Sequence, residues 1–93
     1  MFALGDRVGY YPVDMKRLEY VAMLDYGIVV RINPSIVWVT LDKDQYSPVP
    51  GGHIMSHSML TLVERANENL LLTHWDPAVR EIGKSLYKSN HKE

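Results

Sequence analysis

The fold of this chain is decided by residues 26–41, which read YGIVVRINPSIVWVTL. Two runs rich in β-branched residues flank the tripeptide 33–35, Asn-Pro-Ser, whose residue types suit a type I turn. Such a turn sets Asn33 opposite Ile36. The segment therefore predicts an antiparallel hairpin in which Ile32 faces Val37.

This register sorts the side chains of the hairpin into two faces, because successive strand residues point to opposite sides of a sheet. One face carries only aliphatic residues, and the other carries a mixed set. With residues of the flanking strands, the aliphatic face predicts this core: Val8, Ile28, Val30, Ile32, Val37, Val39, Leu41, Leu60 and Leu62. In the same register Val30 faces Val39, and Ile28 faces Leu41.

The mixed face is predicted to bind a partner. It consists of Val29, Arg31, Ile36, Trp38 and Thr40, with Arg31 directly opposite Trp38 and Val29 opposite Thr40. A solvated strand face would normally be more polar, whereas Trp beside Arg is typical of the residues that dominate binding interfaces. The alternative is that the C-terminal helix or residues 10–26 cover this face and make Trp38 part of a second core.

The flanking segments predict short strands and polar turns. Residues 4–10 lead into a first strand, and residues 12–26 are predicted to form a loop with a helical turn. Residues 42–44 predict a polar turn, and residues 47–52 cannot be strand interior because their prolines lack the ladder donor. Residues 59–63 predict the last strand.

A C-terminal helix is predicted from Asp76, which caps it, and from Pro77 at its first position, to about Ser89. One apolar stripe follows its spacing: Trp75, Val79, Ile82 and Leu86. This stripe should pack on the sheet or on a second copy of the chain, which would give a homodimer.

Three stretches carry a family resemblance: GDRVGYYP (5–12), YGIVVRINPSIVWVTLD (26–42) and SMLTLVER (58–65). Their apolar spacing resembles the SH3-like small barrels in their KOW- and Tudor-like variants. The resemblance implies a mainly β fold, a strongly bent barrel of four or five antiparallel strands over residues 1–65. Residues 66–93 would add a C-terminal helix extension. Barrels of this kind bind proteins, RNA or DNA and are rarely catalytic. Small stand-alone chains are also similar to bacteriophage accessory proteins, which often occupy and inhibit a host protein.

Composition narrows the classes of function. The chain has 93 residues, a net charge of −1 and no cysteine, which excludes disulfides, zinc–thiolate sites and a cysteine nucleophile. Near-neutral charge disfavours a non-specific nucleic-acid binder. The first residues show no signal-peptide pattern and no apolar run is long enough to span a membrane, so a cytoplasmic location is expected.

Candidate catalytic and metal-binding residues are few. His53, His57 and His74 form the one metal-like set, and Ser56 or Ser58 could be combined with His57. Neither set matches a known catalytic or metal motif. The sequence therefore predicts no enzyme activity, no metal and no cofactor, with a small metal-dependent hydrolase as a distant alternative.

A basic row follows the predicted helix at Arg80, Lys84 and Lys88. It predicts a contact to phosphate or to an acidic partner, or else a solvated helix face on which Asp76 pairs with Arg80. Together these observations predict a non-enzymatic module that binds another protein, with nucleic-acid binding as the second hypothesis.

Overall fold

The structure, a computed structural model, describes residues 1–11 and 25–91. The five strands are β1 (Arg7–Tyr10), β2 (Asp25–Ile32), β3 (Ile36–Leu41), β4 (His53–Ser56) and β5 (Leu60–Glu64). The two helices are α1 (Glu68–Leu72) and α2 (Pro77–Asn90), and short 3-10 turns occupy Asp42–Gln45 and His57–Met59. Apart from its last two positions, the loop predicted for residues 12–26 lies outside the described residues.

The strands form one antiparallel sheet in the order β4-β3-β2-β1-β5. The first strand lies between the second and the last, and the sheet does not close on itself. The mainly β prediction with a C-terminal helix is confirmed at this level. None of the described helices is long and apolar enough to cross a bilayer.

The turn of the central hairpin forms as predicted. The amide of Asn33 donates to the carbonyl of Ile36 at 3.0 Å. The Asn33 side-chain oxygen accepts from the amides of Ser35 and Ile36 at 2.9 and 2.8 Å. Asn33 therefore fixes the turn through both its backbone and its side chain, as turn chemistry favours.

The register beyond the first two pairs differs from the prediction. Arg31 pairs with Trp38 as expected, but Val29 pairs with Val39 and Ile28 with Thr40, because a β-bulge leaves Val30 as an extra residue. The predicted pairs of Val30 with Val39, Val29 with Thr40 and Ile28 with Leu41 are therefore wrong. A bulge increases local twist, and type I loops need such an adjustment because they splay their strands.

The bulge divides the apolar residues of β2 between two clusters. The main core consists of Val8, Val29, Val37, Val39, Leu41, Met55 and Leu60. The second cluster consists of Ile28, Leu71 and Val79, with Val30, Ala66, Ile82 and Leu86 packed around it. The stripe of α2 is thus used within the chain, on the opposite side of the sheet from the main core.

Most of the predicted core is confirmed. Val8, Ile28, Val37, Val39, Leu41 and Leu60 are buried. Val30 and Ile32 are only half-buried, and Leu62 is 38% exposed. Leu62 lies on β5, which pairs on one side only, so its side chain has fewer neighbours than a central strand provides. Val29, predicted to face outward, is fully buried.

The predicted start of α2 is confirmed. The Asp76 carboxylate accepts the amide hydrogen of Ala78 at 2.9 Å, and Pro77 occupies the first turn. This side-chain cap satisfies one of the amides that a helix N-terminus leaves without a partner. The helix ends at Asn90, one residue beyond the predicted end.

Candidate binding surface

A row of three side chains crosses the sheet on the face opposite the main core. Arg31 of β2 pairs with Trp38 of β3, which pairs with Ile54 of β4. Paired residues of antiparallel strands point to the same side of the sheet, so the three side chains are neighbours. We call them the Arg–Trp–Ile row. Ile54 is 66% exposed, and Trp38 is half-buried.

The expected contact between Arg31 and Trp38 is present. The guanidinium carbon of Arg31 lies over the indole, 4.6 Å from the ring centroid. A cation over an indole at this distance is attracted by the negative charge of the ring face. Within the described residues, the Arg31 guanidinium makes no hydrogen bond and no ion pair. Among the described residues, its N–H groups therefore have no acceptor.

Two residues predicted to bind a partner are not on the surface. Val29 lies in the main core, because the bulge reverses its side of the sheet. Thr40 is buried and donates its hydroxyl hydrogen to the Asp76 carboxylate at 2.9 Å. The prediction that both face outward into solvent is therefore wrong. Ile36 is half-buried and shares the face of Trp38, two residues further along the strand.

The alternatives for this face were an open binding surface and a surface covered by the C-terminal helix or by residues 10–26. The structure shows that one end is covered. Helix α2 covers the end formed by Ile28, Val30 and Thr40. At the other end Arg31 and Ile54 are exposed and Trp38 is half-buried. Residues 12–24, part of the second segment predicted to cover this face, lie outside the described residues. The sequence analysis does not place Ile54 on this face, because it excludes a strand at residues 47–52 and assigns none to the residues that follow. In the structure exposed Ile54 alternates with buried Met55, but both residues are apolar, so the sequence carries no apolar–polar alternation that would mark this segment as a strand.

A groove of about 260 Å³ begins beside Arg31. Its described lining consists of Val30, Arg31, Thr40, Pro48, Val49, Pro50, Gly51, Gly52, Trp75, Asp76 and Ala78. Arg31 is the one cation of this set and Asp76 the one anion. Both carboxylate oxygens of Asp76 already accept hydrogen bonds, from Ala78 and from Thr40. Of the two charged side chains in the described lining, only that of Arg31 therefore has no hydrogen-bond or ion-pair partner among the described residues.

A second cleft, of about 590 Å³, lies between the sheet, the turn at Asp42–Gln45 and helix α1. His74 lines it, as do Arg7 and Asp42, which form a bidentate ion pair with two 2.6 Å hydrogen bonds. The Nδ1 atom of His74 accepts the amide hydrogen of Asp76 at 3.0 Å. This bond requires Nδ1 to be unprotonated. It is therefore the neutral form of His74 that holds the start of α2 in place.

Burial lowers the pKa of His74, and the nearby guanidinium groups of Arg7 and Arg80 lower it further. The carboxylates of Asp76 and Asp42 oppose this shift. The unfolded chain, in which histidine titrates near about 6.5, therefore binds the proton more readily than the folded protein does. Neutral His74 therefore contributes its full stabilisation at pH values above about 6.5, the pKa in the unfolded chain. This stabilisation is lost as the pH falls from there towards the lower pKa of His74 in the folded protein.

We expect His74→Asn to weaken this pH dependence. The asparagine side-chain oxygen can still accept from the Asp76 amide, but it does not titrate. Between about pH 7.5 and 5.5 the free energy of unfolding should fall less in the variant than in the wild type. Urea unfolding at several pH values measures this, and the other histidines cancel in the difference. Parallel pH profiles for the two proteins would contradict the assignment.

The three residues of the predicted basic row make different contacts. Arg80 donates through Nη1 to the carbonyl oxygens of His74 and Trp75, at 2.8 and 3.0 Å. It therefore stabilises the connection between the helices, in place of the predicted pair with Asp76. Lys84 lies 3.7 Å from Glu81, and Lys88 is exposed.

The histidines of the metal-like set lie in different contacts. The Nε2 atom of His53 lies 2.9 Å from the buried Asp44 carboxylate, that of His57 lies 3.2 Å from the carbonyl oxygen of Asn33, and His74 lines the second cleft. In residues 1–11 and 25–91, no three His, Asp or Glu side chains form a group that could hold a metal ion. The hydroxyl of Ser56 lies 3.0 Å from that of Ser58, so Ser56 and His57 make different contacts.

The fold and this surface define a general class. The chain is a small mainly β protein whose open sheet carries the Arg–Trp–Ile row on one face and a helix on the same face beside it. Comparison of the chain with protein-family models, with curated proteins and with solved structures gives no match.

Proposed function

We propose that the chain is a non-enzymatic binding module that acts through contact with another protein. The Arg–Trp–Ile row carries this proposal, because it places an arginine, a tryptophan and a 66% exposed isoleucine side by side on one sheet face. Trp and Arg are the residue types that most often dominate the binding energy of interfaces.

The row is also held in position before binding. Trp38 is half-buried on a central strand, and the Arg31 guanidinium lies over its ring. Side chains that are already ordered lose less conformational entropy when a partner binds. A partner would therefore gain contact area at a lower entropic cost than with freely rotating side chains.

Nucleic-acid binding is the second candidate, and two observations weigh against it. The net charge is −1, whereas backbone phosphate contacts require a cluster of cations. Arg31 covers one face of Trp38, which leaves that face unavailable for stacking on a base.

The resemblance to SH3-like barrels supports a binding role in the same way, since those barrels bind proteins or nucleic acids. The proposal extends to such a barrel, to a cytoplasmic location and to the occupation of a host protein by a bacteriophage accessory protein. The order of the strands, with β5 beside β1, is compatible with a strongly bent barrel.

We expect Trp38→Ala to weaken binding at least tenfold, because it removes the central aromatic contact of the row. Its effect on the free energy of unfolding should stay near about 1 kcal/mol, since the side chain is only half-buried. The tagged wild type is used to capture a partner from a lysate treated with nuclease. The affinity of each variant for the purified partner is then measured by calorimetry.

Tyr87→Ala is the matched control, because it also removes a part-exposed aromatic side chain but lies near the end of α2, outside the row and outside the described lining of the groove. Its affinity should remain within about threefold of the wild type, well below the loss expected for an interface anchor. Equal affinities for the wild type and Trp38→Ala would contradict a role for the row. Capture that disappears with nuclease and weakens steeply with salt would favour nucleic acid.

A further inference from the structure

The Arg31 guanidinium lines an apolar groove and makes no hydrogen bond or ion pair with any described residue. It is exposed and lies over Trp38. Within the described part of the chain it has no carboxylate and no carbonyl oxygen as a hydrogen-bond partner. Its N–H bonds lie in the guanidinium plane, and within the described residues none of them is donated to an acceptor at the edge of the group.

A carboxylate is the ligand that suits the edge of the Arg31 guanidinium, where its N–H groups lie. A guanidinium presents parallel N–H donors whose spacing matches the two oxygens of a carboxylate, and such bidentate pairs are among the stronger hydrogen-bonded contacts. The contact with Trp38 restricts the rotation of Arg31, so less entropy is lost when the fork binds.

The groove beside Arg31 suits an apolar side chain. Pro48, Val49, Pro50 and Trp75 contribute to its walls, and its volume is about 260 Å³. Burial of an apolar side chain there would remove both surfaces from water, which is favourable in proportion to the area covered. The groove therefore adds an apolar contact next to the charged one.

The two charged side chains of the described lining differ in what they can still bind. Asp76 has both carboxylate oxygens already hydrogen-bonded, one to Ala78 and one to Thr40. A carboxylate bound next to Asp76 would meet a like charge and no donor on its side chain. The acidic group of a ligand is therefore expected at Arg31, and its apolar group beside the apolar lining residues.

We infer that the partner presents a peptide segment in which an acidic side chain lies next to an apolar one. Arg31 binds the carboxylate with two N–H groups, and the groove beside Trp75 takes the apolar side chain. This inference rests on the proposed function and names the chemistry of its ligand. A single-stranded nucleic acid fits less well, because the described lining offers one cation and no open stacking face on the Arg31 side of Trp38.

The test uses a displayed library of short randomised peptides, selected in parallel on the full chain and on four variants. Arg31→Gln removes the charge, and Arg31→Lys keeps the charge but loses the planar fork. Trp38→Ala removes the centre of the row. Lys88→Gln is the matched control, because it also removes one positive charge but lies near the exposed end of α2.

The wild type and Lys88→Gln should enrich peptides with Asp or Glu beside an apolar residue. Synthetic copies of these peptides should bind Arg31→Gln about 10- to 100-fold more weakly, and Arg31→Lys should show part of that loss. Enriched peptides that require Trp38 but carry no acidic residue would overturn this inference and leave the proposed function standing. Enrichment of the same peptides on the wild type and on Trp38→Ala, or no enrichment at all, would overturn both this inference and the proposed function. Binding of single-stranded oligonucleotides to the wild type, in place of binding of peptides, would assign the surface to nucleic acid.

Discussion

Replacing Asp6 by Ala should lower the free energy of unfolding by about 2–4 kcal/mol, because it removes a buried acceptor that two backbone amides and Arg65 share. Asp6 is only 1% exposed. Its carboxylate accepts from the amides of Ala3 and Ala66 at 2.8 and 3.2 Å, and from Arg65 at 2.9 Å. These bonds tie the N-terminal turn to the segment that follows β5.

Two further variants separate the parts of this contribution. Asp6→Asn keeps an acceptor oxygen and should lose less stability than Asp6→Ala. Arg65→Gln should cost about 1 kcal/mol or less, because Arg65 is 61% exposed and exposed ion pairs contribute little. Urea unfolding of the three variants gives the comparison. A larger loss for Arg65→Gln than for Asp6→Ala would show that the ion pair, and not the backbone amides, carries the stabilisation.

Replacing Gly27 by Ala should lower the free energy of unfolding by about 3 kcal/mol through overpacking. A β-carbon at Gly27 would lie 2.5 Å from a methyl group of Val39 and 2.7 Å from the carbonyl oxygen of Thr40. The methyl group could move, but the carbonyl belongs to the neighbouring strand β3. Relief of the overlap would therefore displace the backbone of the central hairpin.

Gly51→Ala is the matched control for this substitution. Gly51 has a φ of +80°, and a β-carbon there would meet nothing within 4 Å. Its substitution should cost about 1 kcal/mol from backbone conformation alone. Thermal unfolding followed by circular dichroism measures both variants. Equal losses at the two glycines would mean that close packing at Gly27 contributes nothing beyond the general effect of removing a glycine.

The Gly-Asp pair of the barrel resemblance has a physical explanation here. Gly5 adopts a φ of +87°, and a β-carbon there would lie 2.9 Å from a methyl group of Leu71. Gly5 therefore lets the chain pass close to α1, and the next residue, Asp6, joins that turn to Ala66. The sequence indicated that these two residues open the first strand, but the contacts that require them come from residues about 60 positions away.

The sequence by itself determined the features whose signals are local. The turn at Asn33, the pairing of Arg31 with Trp38 and the capped start of α2 at Asp76 all follow from neighbouring residues. Turn chemistry, the registers next to a turn and helix caps depend on side chains within a few positions of one another. These features therefore need no knowledge of the rest of the chain.

Only the tertiary structure decided which side of the sheet each residue of β2 faces. Strict alternation placed Val29 outward and Ile28 in the main core, whereas the bulge at Val30 reverses both. The reversal lets Ile28 pack on Val79 of α2. This contact joins residues some 50 positions apart, so the local periodicity of the strand cannot predict it. The exposure of this face was decided in the same way, because Thr40 is buried against the Asp76 cap of α2, whereas Arg31 is exposed and Trp38 is half-buried.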